Sequence, residues 1–266
     1  MSVTALFLGG WAAAALVMTL AWAHQQRTHG ATAVDVCWAA GMGGLAIAAA
    51  LLAGGDPARR TLVALLGGLW SARLAGFLYR NRVRGHAGED ARYRRLRAAF
   101  GRHAGAGFLA FYQGQALATA LFALPFLACA QAQAPLSGPA AIAALLVWAL
   151  AVGGESLADR QLARWRAEPA HRGRTCRTGL WAWSRHPNYF FEWLHWWTYP
   201  LLALGSEAFW PTLAGPLLMY ATLHYATGIP HTERQALAHR GADYAAYQRE
   251  VPEFFPRPPR PPERGA

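Results

Sequence analysis

The side chains best able to do chemistry lie between Gly179 and Trp197, where a basic turn leads into an aromatic helix. A proline suits the first turn of that helix, because its missing N–H is not needed there. Asn188, Glu192 and His195 follow at helical spacing and share one face. The free N–H groups at the helix start, with Arg185 beside them, predict an anion site. A lone histidine such as His195 more often packs in a core than takes part in catalysis.

Ionisable residues also occur at or inside three other apolar runs. Asp35 opens one run, Arg73 lies well inside the next, and Glu155 and Asp159 come near the end of a later one. Charge at membrane depth is costly, so it usually marks a site or an internal pair. Further residues at helical spacing are Arg80, Asn81 and Arg84 after Arg73, and Arg166 after Asp159.

Two of these groups also have purely structural explanations. Asp35 could serve only as a negative charge at the N-terminus of a helix, where the macrodipole favours it. Glu155, Asp159 and Arg166 could form an internal salt-bridge ladder. The stripe from Arg73 favours function, because Arg73 lies too far from the helix end for its side chain to reach water.

The elements that must position these residues are apolar helices. The chain has 54% hydrophobic and 15% charged residues, and seven runs approach the ~20 residues of a spanning helix. The predicted spans are residues 6–23, 34–53, 62–79, 108–130, 139–157, 190–204 and 209–227. We therefore expect an all-α polytopic membrane protein, with one integral-membrane domain over residues 1–266 and a proline-rich, partly flexible tail over residues 252–266. Charged faces on several helices predict one polar cofactor cavity on the cytoplasmic side.

The arginine distribution predicts the orientation. All 25 basic residues are arginines, and they concentrate after the third, fifth and seventh runs. By the positive-inside rule, the N-terminus is outside and the C-terminus is cytoplasmic, in a bacterial inner membrane. Only Arg59 and Arg60, after the second run, disagree. The net charge of +11 does not indicate nucleic acid, because these arginines lie between apolar runs and not on a soluble face.

A polar segment after the third run, residues 89–100, has helical spacing. Tyr93, Leu96 and Phe100 share one side and arginines surround them, which predicts a helix at the membrane surface. Its arginines could simply contact anionic lipid.

Signals for metal and soluble nucleotide-binding domains are missing from the sequence. Cys37, Cys129 and Cys176 are solitary, so neither a disulfide framework nor a zinc site is indicated. The chain has no HExxH motif and no GxGxxG between a strand and a helix. We expect no metal site.

The block from Gly179 to Glu192, GLWAWSRHPNYFFE, resembles the C-terminal signature of the steroid 5-alpha-reductase superfamily. The similarity extends to GGESLADRQLARWR, where Asp159 and Arg166 match that superfamily's Asp and Arg. It also includes Arg73 and the segment 81–84, which looks like an Asn-Arg-Gly-Arg stretch. Residues 88–101 and the segment from Gly228 onward look like the bacterial branch, so the resemblance covers nearly the whole chain.

This resemblance implies a seven-helix oxidoreductase that uses NADPH to reduce a carbonyl-conjugated C=C bond in a lipophilic, steroid- or lipid-like substrate. In the superfamily, an acid on the second span and a Tyr on the third hydrogen-bond the carbonyl oxygen. Asp35 matches the acid and Trp70 takes the Tyr position. Trp can donate a hydrogen bond but cannot release a proton as a phenol does. The resemblance thus makes Asp35 and Trp70 the catalytic candidates, with a protonated Asp35 as the donor to the carbonyl oxygen. The implied cofactor residues are Arg73, Asn81, Arg82, Arg84, Asp159, Arg166, Arg185, Asn188, Tyr189 and Glu192.

Two other functions stay open. Isoprenylcysteine carboxyl methyltransferases use S-adenosylmethionine and share an R-H-P-x-Y turn, followed by a tail with a Glu and spaced tyrosines. The matching residues are Arg185, His186, Pro187, Tyr189, Glu233, Tyr244 and Tyr247. The other alternative is a non-enzymatic membrane protein whose arginines only bind lipid headgroups. Arg73 and Glu155, inside apolar runs, argue against it.

Overall fold

The computed structural model describes residues 1–84, 89–226 and 228–258, and over these residues the chain is helical without a strand. The α-helices are α1 (Val3–Thr28), α2 (Val34–Leu52), α3 (Pro57–Leu78), α4 (Ala91–Phe100), α5 (Ala104–Phe122), α6 (Leu124–Gln131), α7 (Gly138–Ala167), α8 (Pro187–His195), α9 (Thr198–Leu202), α10 (Phe209–Thr212), α11 (Ala214–Ala221) and α12 (Ile229–Glu250). Two π-helical turns, Tyr79–Val83 and Thr222–Ala226, follow α3 and α11.

Five helical stretches in the described part of the chain are long and apolar enough to cross a membrane. They are Val3–Thr28, Val34–Leu52, Pro57–Val83, Arg92–Gln131 and Gly138–Ala167. These five candidate spans correspond to the first five predicted runs, and they support the predicted all-α membrane character.

The sixth and seventh predicted runs fold as shorter helices, so seven spans are not confirmed. A left-handed Gly205 (φ 75°) follows α9, and Pro211 and Pro216 lie in α10 and α11. Glycine in this conformation ends a helix, and proline removes a backbone donor. Thr227, the end of the seventh run, lies outside the described residues.

The chain forms two compact units within the predicted domain of residues 1–266. The first unit comprises Met1–Ala140 with Tyr199–Gly215, and the second comprises Ala141–Thr198 with Pro216–Ala266. The described part of the second unit ends at residue 258, so residues 259–266 of the predicted tail lie outside it.

In the first unit, α2 and α3 pack closely because small residues face each other. A Cβ atom added at Gly43 would lie 2.6 Å from Ser71 Cβ, and one added at Gly67 would lie 2.7 Å from Ala46 Cβ. Ser71 Oγ accepts from the backbone N–H of Gly43 (3.0 Å) and donates to the carbonyl oxygen of Ala39 (2.6 Å). These glycines therefore form a helix-packing surface.

The two arginines that disagree with the positive-inside rule have internal partners. Arg59 is fully buried, and its guanidinium donates to the carbonyl oxygens of Leu202 (2.8 Å) and Ala134 (2.6 Å). Arg60 donates to the carbonyl oxygen of Ala50, in the last turn of α2, at 2.6 Å. Both side chains satisfy carbonyl groups that would otherwise lack a donor. Their position is thus explained by structure and not by membrane orientation.

The predicted surface helix α4 has its apolar side packed on the protein itself. Tyr93 is only 4% exposed and clusters with Met18 of α1 and with Phe108 and Tyr112 of α5. The rings of Phe100 and Phe108 meet edge to face, 5.7 Å apart. The outward side of α4 is therefore its polar side.

In the second unit, an aromatic cluster joins α8 to the segment after α12. The ring centroid of Trp193 lies 5.8 Å from that of Phe254 and 5.7 Å from that of Phe255. Ser184 Oγ donates to the carbonyl oxygen of Phe254 (2.9 Å), and the N–H of Arg257 donates to Trp183 (2.9 Å). The predicted flexible tail is thus docked as far as Arg257.

Candidate functional site

The predicted site residues divide between the two units. Those of the first unit are Asp35, Trp70, Arg73, Asn81, Arg82 and Arg84. Those of the second unit are Asp159, Arg166, Arg185, Asn188, Tyr189 and Glu192.

Asp35, in the first turn of α2, is the centre of a polar cluster in the first unit. Its carboxylate pairs with Arg82 and with Arg92 (2.9 Å), and the phenol of Tyr93 donates to Oδ1 at 2.6 Å. The Asp35 side chain is 20% exposed. All three neighbours donate, so Asp35 acts here as a hydrogen-bond acceptor.

The phenol of this cluster was not predicted from the sequence. Tyr93 lies on α4, 58 residues from Asp35. Trp70, at the position where the superfamily has a Tyr, is fully buried in α3. A phenol does lie beside the predicted acid, but it comes from a different helix.

The π-helical turn after α3 alters the predicted arginine stripe. The N–H of Arg84 donates to the carbonyl oxygen of Tyr79, five residues earlier, at 2.8 Å. The wider turn shifts the helical phase, so the spacing of an α-helix does not extend from Arg73 to Arg84. Arg82 consequently reaches the first turn of α2.

Arg73 and Asn81 have contacts on their own helix. The Arg73 guanidinium lies 5.8 Å from the centroid of the Phe77 ring, which is a cation–π distance. Asn81 is exposed, and its side-chain amide donates to the carbonyl oxygen of Phe77 (2.8 Å).

Two acids just before α4 neutralise neighbouring arginines. Glu89 pairs with Arg97 at 2.7 Å, and Asp90 pairs with Arg92 at 3.2 Å. Burial raises the pKa of both carboxyls, but the hydrogen bonds from these arginines and from backbone N–H groups outweigh it. The pKa of Glu89 and that of Asp90 therefore lie below their ordinary values.

In the second unit, α7 and α8 bring two predicted residues together. The amide of Asn188 donates to Asp159 Oδ1 at 3.4 Å. A Cβ atom added at Gly154 would overlap the ring of Phe191, so the two helices approach closely. This close approach depends on a glycine at position 154.

Other polar residues of α7 and α8, close in sequence to Asp159 and Asn188, are also buried. Glu155 is 6% exposed, Glu192 is 9% exposed, and His195 is fully buried. Each of these two packed helices therefore buries one carboxylate side chain. Among the described residues, no group of three or more His, Cys, Asp or Glu side chains is arranged to hold a metal ion.

A tight turn at Gly179 attaches the segment before α8 to the side of α7. Gly179 has a φ of 61°, and a Cβ atom there would overlap the side chain of Gln161, so glycine is required. The N–H of Leu180 donates to Gln161 Oε1 (2.9 Å), and Trp181 Nε1 donates to the carbonyl oxygen of Ala158 (3.0 Å). Gly179, Leu180 and Trp181 thus position the segment that leads into α8.

Arg185 and His186 are held by Glu233 of α12. Arg185 Nε lies 2.6 Å and His186 Nε2 lies 3.2 Å from the same oxygen, Glu233 Oε1. Tyr244 donates to this oxygen (3.3 Å), and Gln248 donates to Oε2 (2.8 Å). Burial raises the pKa of Glu233, but the hydrogen bonds and charges of His186 and Arg185 dominate and lower that pKa to about 2. We call these five residues the Glu233 network.

Arg185 and Tyr189 have further partners in the second unit. The Arg185 guanidinium also donates to the carbonyl oxygens of Gln248 (3.0 Å) and Val251 (2.8 Å). The phenol of Tyr189 lies 3.1 Å from Thr232 Oγ1. These residues hold the turn before α8, whereas Arg166 is exposed at the end of α7.

A comparison with protein families matches the chain over residues 21–251 to a family described as "Protein of unknown function (DUF1295)". The chain belongs to the DUF1295 family. This family lies in the steroid 5-alpha-reductase-like superfamily, in agreement with the sequence resemblance. Searches of curated proteins and of solved structures gave no significant match.

Within this DUF1295 protein, the Glu233 network includes four of the residues that also resemble the methyltransferases. Glu233 was not among the predicted site residues, although its spacing to Tyr244 and Tyr247 was noted for the methyltransferase alternative. Tyr247 lies beside the network and donates to the carbonyl oxygen of Trp181 (2.5 Å), in the turn before α8. The shared motif thus has a packing role in this fold.

Proposed function

We propose that this DUF1295 protein is a membrane-embedded, NADPH-dependent reductase. It would transfer a hydride to a carbonyl-conjugated C=C bond of a lipophilic, steroid- or lipid-like substrate. The observation that carries the proposal is the 3.4 Å contact between Asn188 and Asp159. These residues are 29 positions apart, and the superfamily resemblance assigns both to the nucleotide.

The side chains of the second unit suit such a cofactor by their chemistry. Asn188 offers an amide and Glu192 offers a carboxylate, which together can donate to and accept from a carboxamide. Arg166 is exposed and can bind a phosphate through two parallel hydrogen bonds. NADPH, when bound, supplies the hydride. Arg185 would act indirectly in this proposal, because its guanidinium is held by Glu233 and by two backbone carbonyls.

The proposal gives Asp35 a positioning role in the first unit. Negative charge develops on the substrate carbonyl oxygen during reduction, and a hydrogen-bond donor aimed at that oxygen lowers the barrier. Asp35 accepts from Tyr93, Arg82 and Arg92, so it orients two guanidinium groups whose remaining N–H groups can donate.

Tryptophan fluorescence of the detergent-solubilised protein tests the cofactor assignment. NADPH should quench the tryptophan fluorescence of the wild type. Asn188→Ala or Arg166→Ala should weaken the apparent affinity for NADPH at least about tenfold, because each removes one or two hydrogen bonds to a charged or polar group. Gln133→Ala, which removes an exposed amide from the first unit, is the matched control and should bind like the wild type. Unaltered quenching in both test variants would contradict the assignment.

An S-adenosylmethionine-dependent carboxyl methyltransferase is the second candidate. It is favoured by one observation, the assembly of Arg185, His186, Glu233 and Tyr244 into the Glu233 network. These side chains bind one another, which argues for packing more than for ligand binding. A methyltransferase would bind S-adenosylmethionine and not NADPH, and a non-enzymatic lipid-binding protein would bind neither.

A further inference from the structure

The outward side of α4 carries positive charge that the proposed function does not use. Its exposed residues are Arg94, Arg95, Ala98 and Ala99, and the exposed Arg102 lies two residues beyond the end of the helix. We call Arg94, Arg95 and Arg102 the α4 basic face. The alanines between them are small, so the guanidinium groups are accessible from outside.

The acids near this face are already paired with other arginines. Asp35 pairs with Arg82 and Arg92, and Glu89 pairs with Arg97. Asp90, the third acid, also pairs with Arg92. The charges of the α4 basic face are therefore not balanced by these three carboxylates.

The arginines of the α4 basic face have few partners within the described residues. Arg94 donates to the backbone carbonyl of Glu89, and Arg102 donates to the neighbouring His103. The side chain of Arg95 makes no hydrogen bond or ion pair with the described residues. A cluster of this kind repels itself and favours a multivalent anionic partner.

The position of α4 places the basic face at the level of a membrane surface. The segment between α1 and α2 binds the start of α4, since Glu89 accepts from the N–H of Ala31 (3.0 Å) and the N–H of Asp90 donates to Thr32 (3.2 Å). α5 begins at Ala104, after a short turn that follows α4. The end of α1 and the starts of α2 and α5 thus lie beside α4, where lipid headgroups would lie.

We propose that the α4 basic face binds the headgroups of anionic phospholipids in the membrane that the protein spans. Arginine binds phosphate oxygens in a bidentate manner, and three guanidinium groups can contact several headgroups at once. The apolar side of α4 packs on Met18, Phe108 and Tyr112, so this binding is electrostatic. It should therefore weaken with salt.

Native mass spectrometry of the full chain, released from mixed vesicles of phosphatidylglycerol and phosphatidylcholine, tests the proposal. The wild type should retain phosphatidylglycerol in preference to phosphatidylcholine. In the variant Arg94→Gln/Arg95→Gln/Arg102→Gln, the ratio of bound phosphatidylglycerol to phosphatidylcholine should fall at least about fivefold. A loss of this size corresponds to the removal of one surface arginine or more. Preparation of the wild type in high salt should reduce the preference in the same direction.

A charge-matched control is available in the second unit. The variant Arg164→Gln/Arg234→Gln/Arg249→Gln removes three exposed arginines and should keep the wild-type preference. An unchanged preference in the α4 variant, or an equal loss in the control, would overturn the proposal. The substituted side chains are exposed, so both variants should unfold at the wild-type temperature. Soluble polyphosphate could also bind the α4 basic face. If it does so and the preference for phosphatidylglycerol stays unchanged, this result would also count against a lipid partner.

Discussion

Single carboxylates hold together distant segments of the chain at two places. Asp35 accepts from Arg82 at the end of α3 and from Tyr93 on α4. Glu233 accepts from Arg185 before α8 and from Tyr244 on its own helix. Hydrogen bonds to a charged acceptor contribute about 1.5–3 kcal/mol each, so both carboxylates are expected to matter for stability.

At the residue scale, we expect Asp35→Asn to destabilise the protein by about 1–2 kcal/mol. The substitution removes the charge that Arg82 and Arg92 bind, and the partial exposure of the site moderates the loss. Unfolding in detergent, followed by the helical circular dichroism signal, measures it. Glu253→Gln is the control, because Glu253 is 45% exposed and its arginine partner is 3.8 Å away. A loss for Asp35→Asn no larger than for the control would contradict this role.

The pKa of Glu233 gives a second prediction at this scale. Its folded pKa is about 2, compared with an ordinary value of 4.5. A lowered pKa stabilises the fold above pH 4.5, and this contribution is lost as the pH falls from 4.5 toward 2. A pKa difference of this size corresponds to about 3 kcal/mol in the free energy of unfolding, and about 2 kcal/mol of this should remain after solvent screening.

The variant Glu233→Gln isolates this carboxylate from the others that titrate nearby. It should be less stable than the wild type at neutral pH, because Arg185 loses its charged partner. The gap between the two proteins should narrow between pH 4.5 and pH 2, where the wild type itself becomes neutral at this position. Chemical unfolding at several pH values tests this, and curves that stay parallel would refute it.

At the scale of elements, two neighbouring glycines of α7 give opposite predictions. Gly154→Ala should destabilise the protein by about 1–3 kcal/mol, because the new Cβ atom overlaps Phe191 of α8. Gly153→Ala should be neutral or stabilising by up to about 1 kcal/mol, since nothing lies within 4 Å of its Cβ position. Thermal unfolding of the two variants in parallel measures the difference. Equal effects would mean that α7 and α8 do not approach closely at this point.

The sequence predicted elements well where an apolar run is uninterrupted. Each of the first five runs falls on one of five long helical stretches, because composition and length alone decide whether such a helix can form. The sixth and seventh runs have a similar composition, but prolines interrupt both of them and the left-handed Gly205 lies between them. Average hydropathy does not register a missing N–H group or a left-handed residue.

The candidate site was predictable only in part, for similar reasons. Helical spacing placed Asn188 and Glu192 on α8, but it did not predict that Asn188 contacts Asp159 of α7. The pairing of Asp35 with Tyr93 bridges 58 residues, and no local pattern contains such a contact. The π-helical turn at Tyr79–Val83 also shifted the arginines in a way that regular spacing cannot anticipate.

At the scale of the whole molecule, the first unit gives a prediction about topology. The N–H of Gln133, in the loop before α7, donates to Glu207, in the loop after α9 (3.2 Å). Arg59 likewise joins the start of α3 to the end of α9 through Leu202. These loops lie at one end of the first unit, which is the outer end if the N-terminus is outside.

Cysteine labelling in a cysteine-free background tests this prediction. A membrane-impermeant maleimide should label Glu207→Cys and Gln133→Cys in intact cells, because both side chains are exposed in the same group of loops. Arg174→Cys, in the arginine-rich segment after α7, should be labelled only after lysis. Labelling of Arg174→Cys in intact cells would reverse the predicted orientation.

The central claim is that the second unit binds NADPH through residues of α7 and α8. Isothermal titration calorimetry of the purified full-length protein, with NADPH and with S-adenosylmethionine in separate titrations, tests it most directly. We expect saturable binding of NADPH, no binding of S-adenosylmethionine, and an affinity for NADPH at least about tenfold weaker in Asn188→Ala. Binding of S-adenosylmethionine alone, or NADPH binding that Asn188→Ala leaves unchanged, would contradict the account.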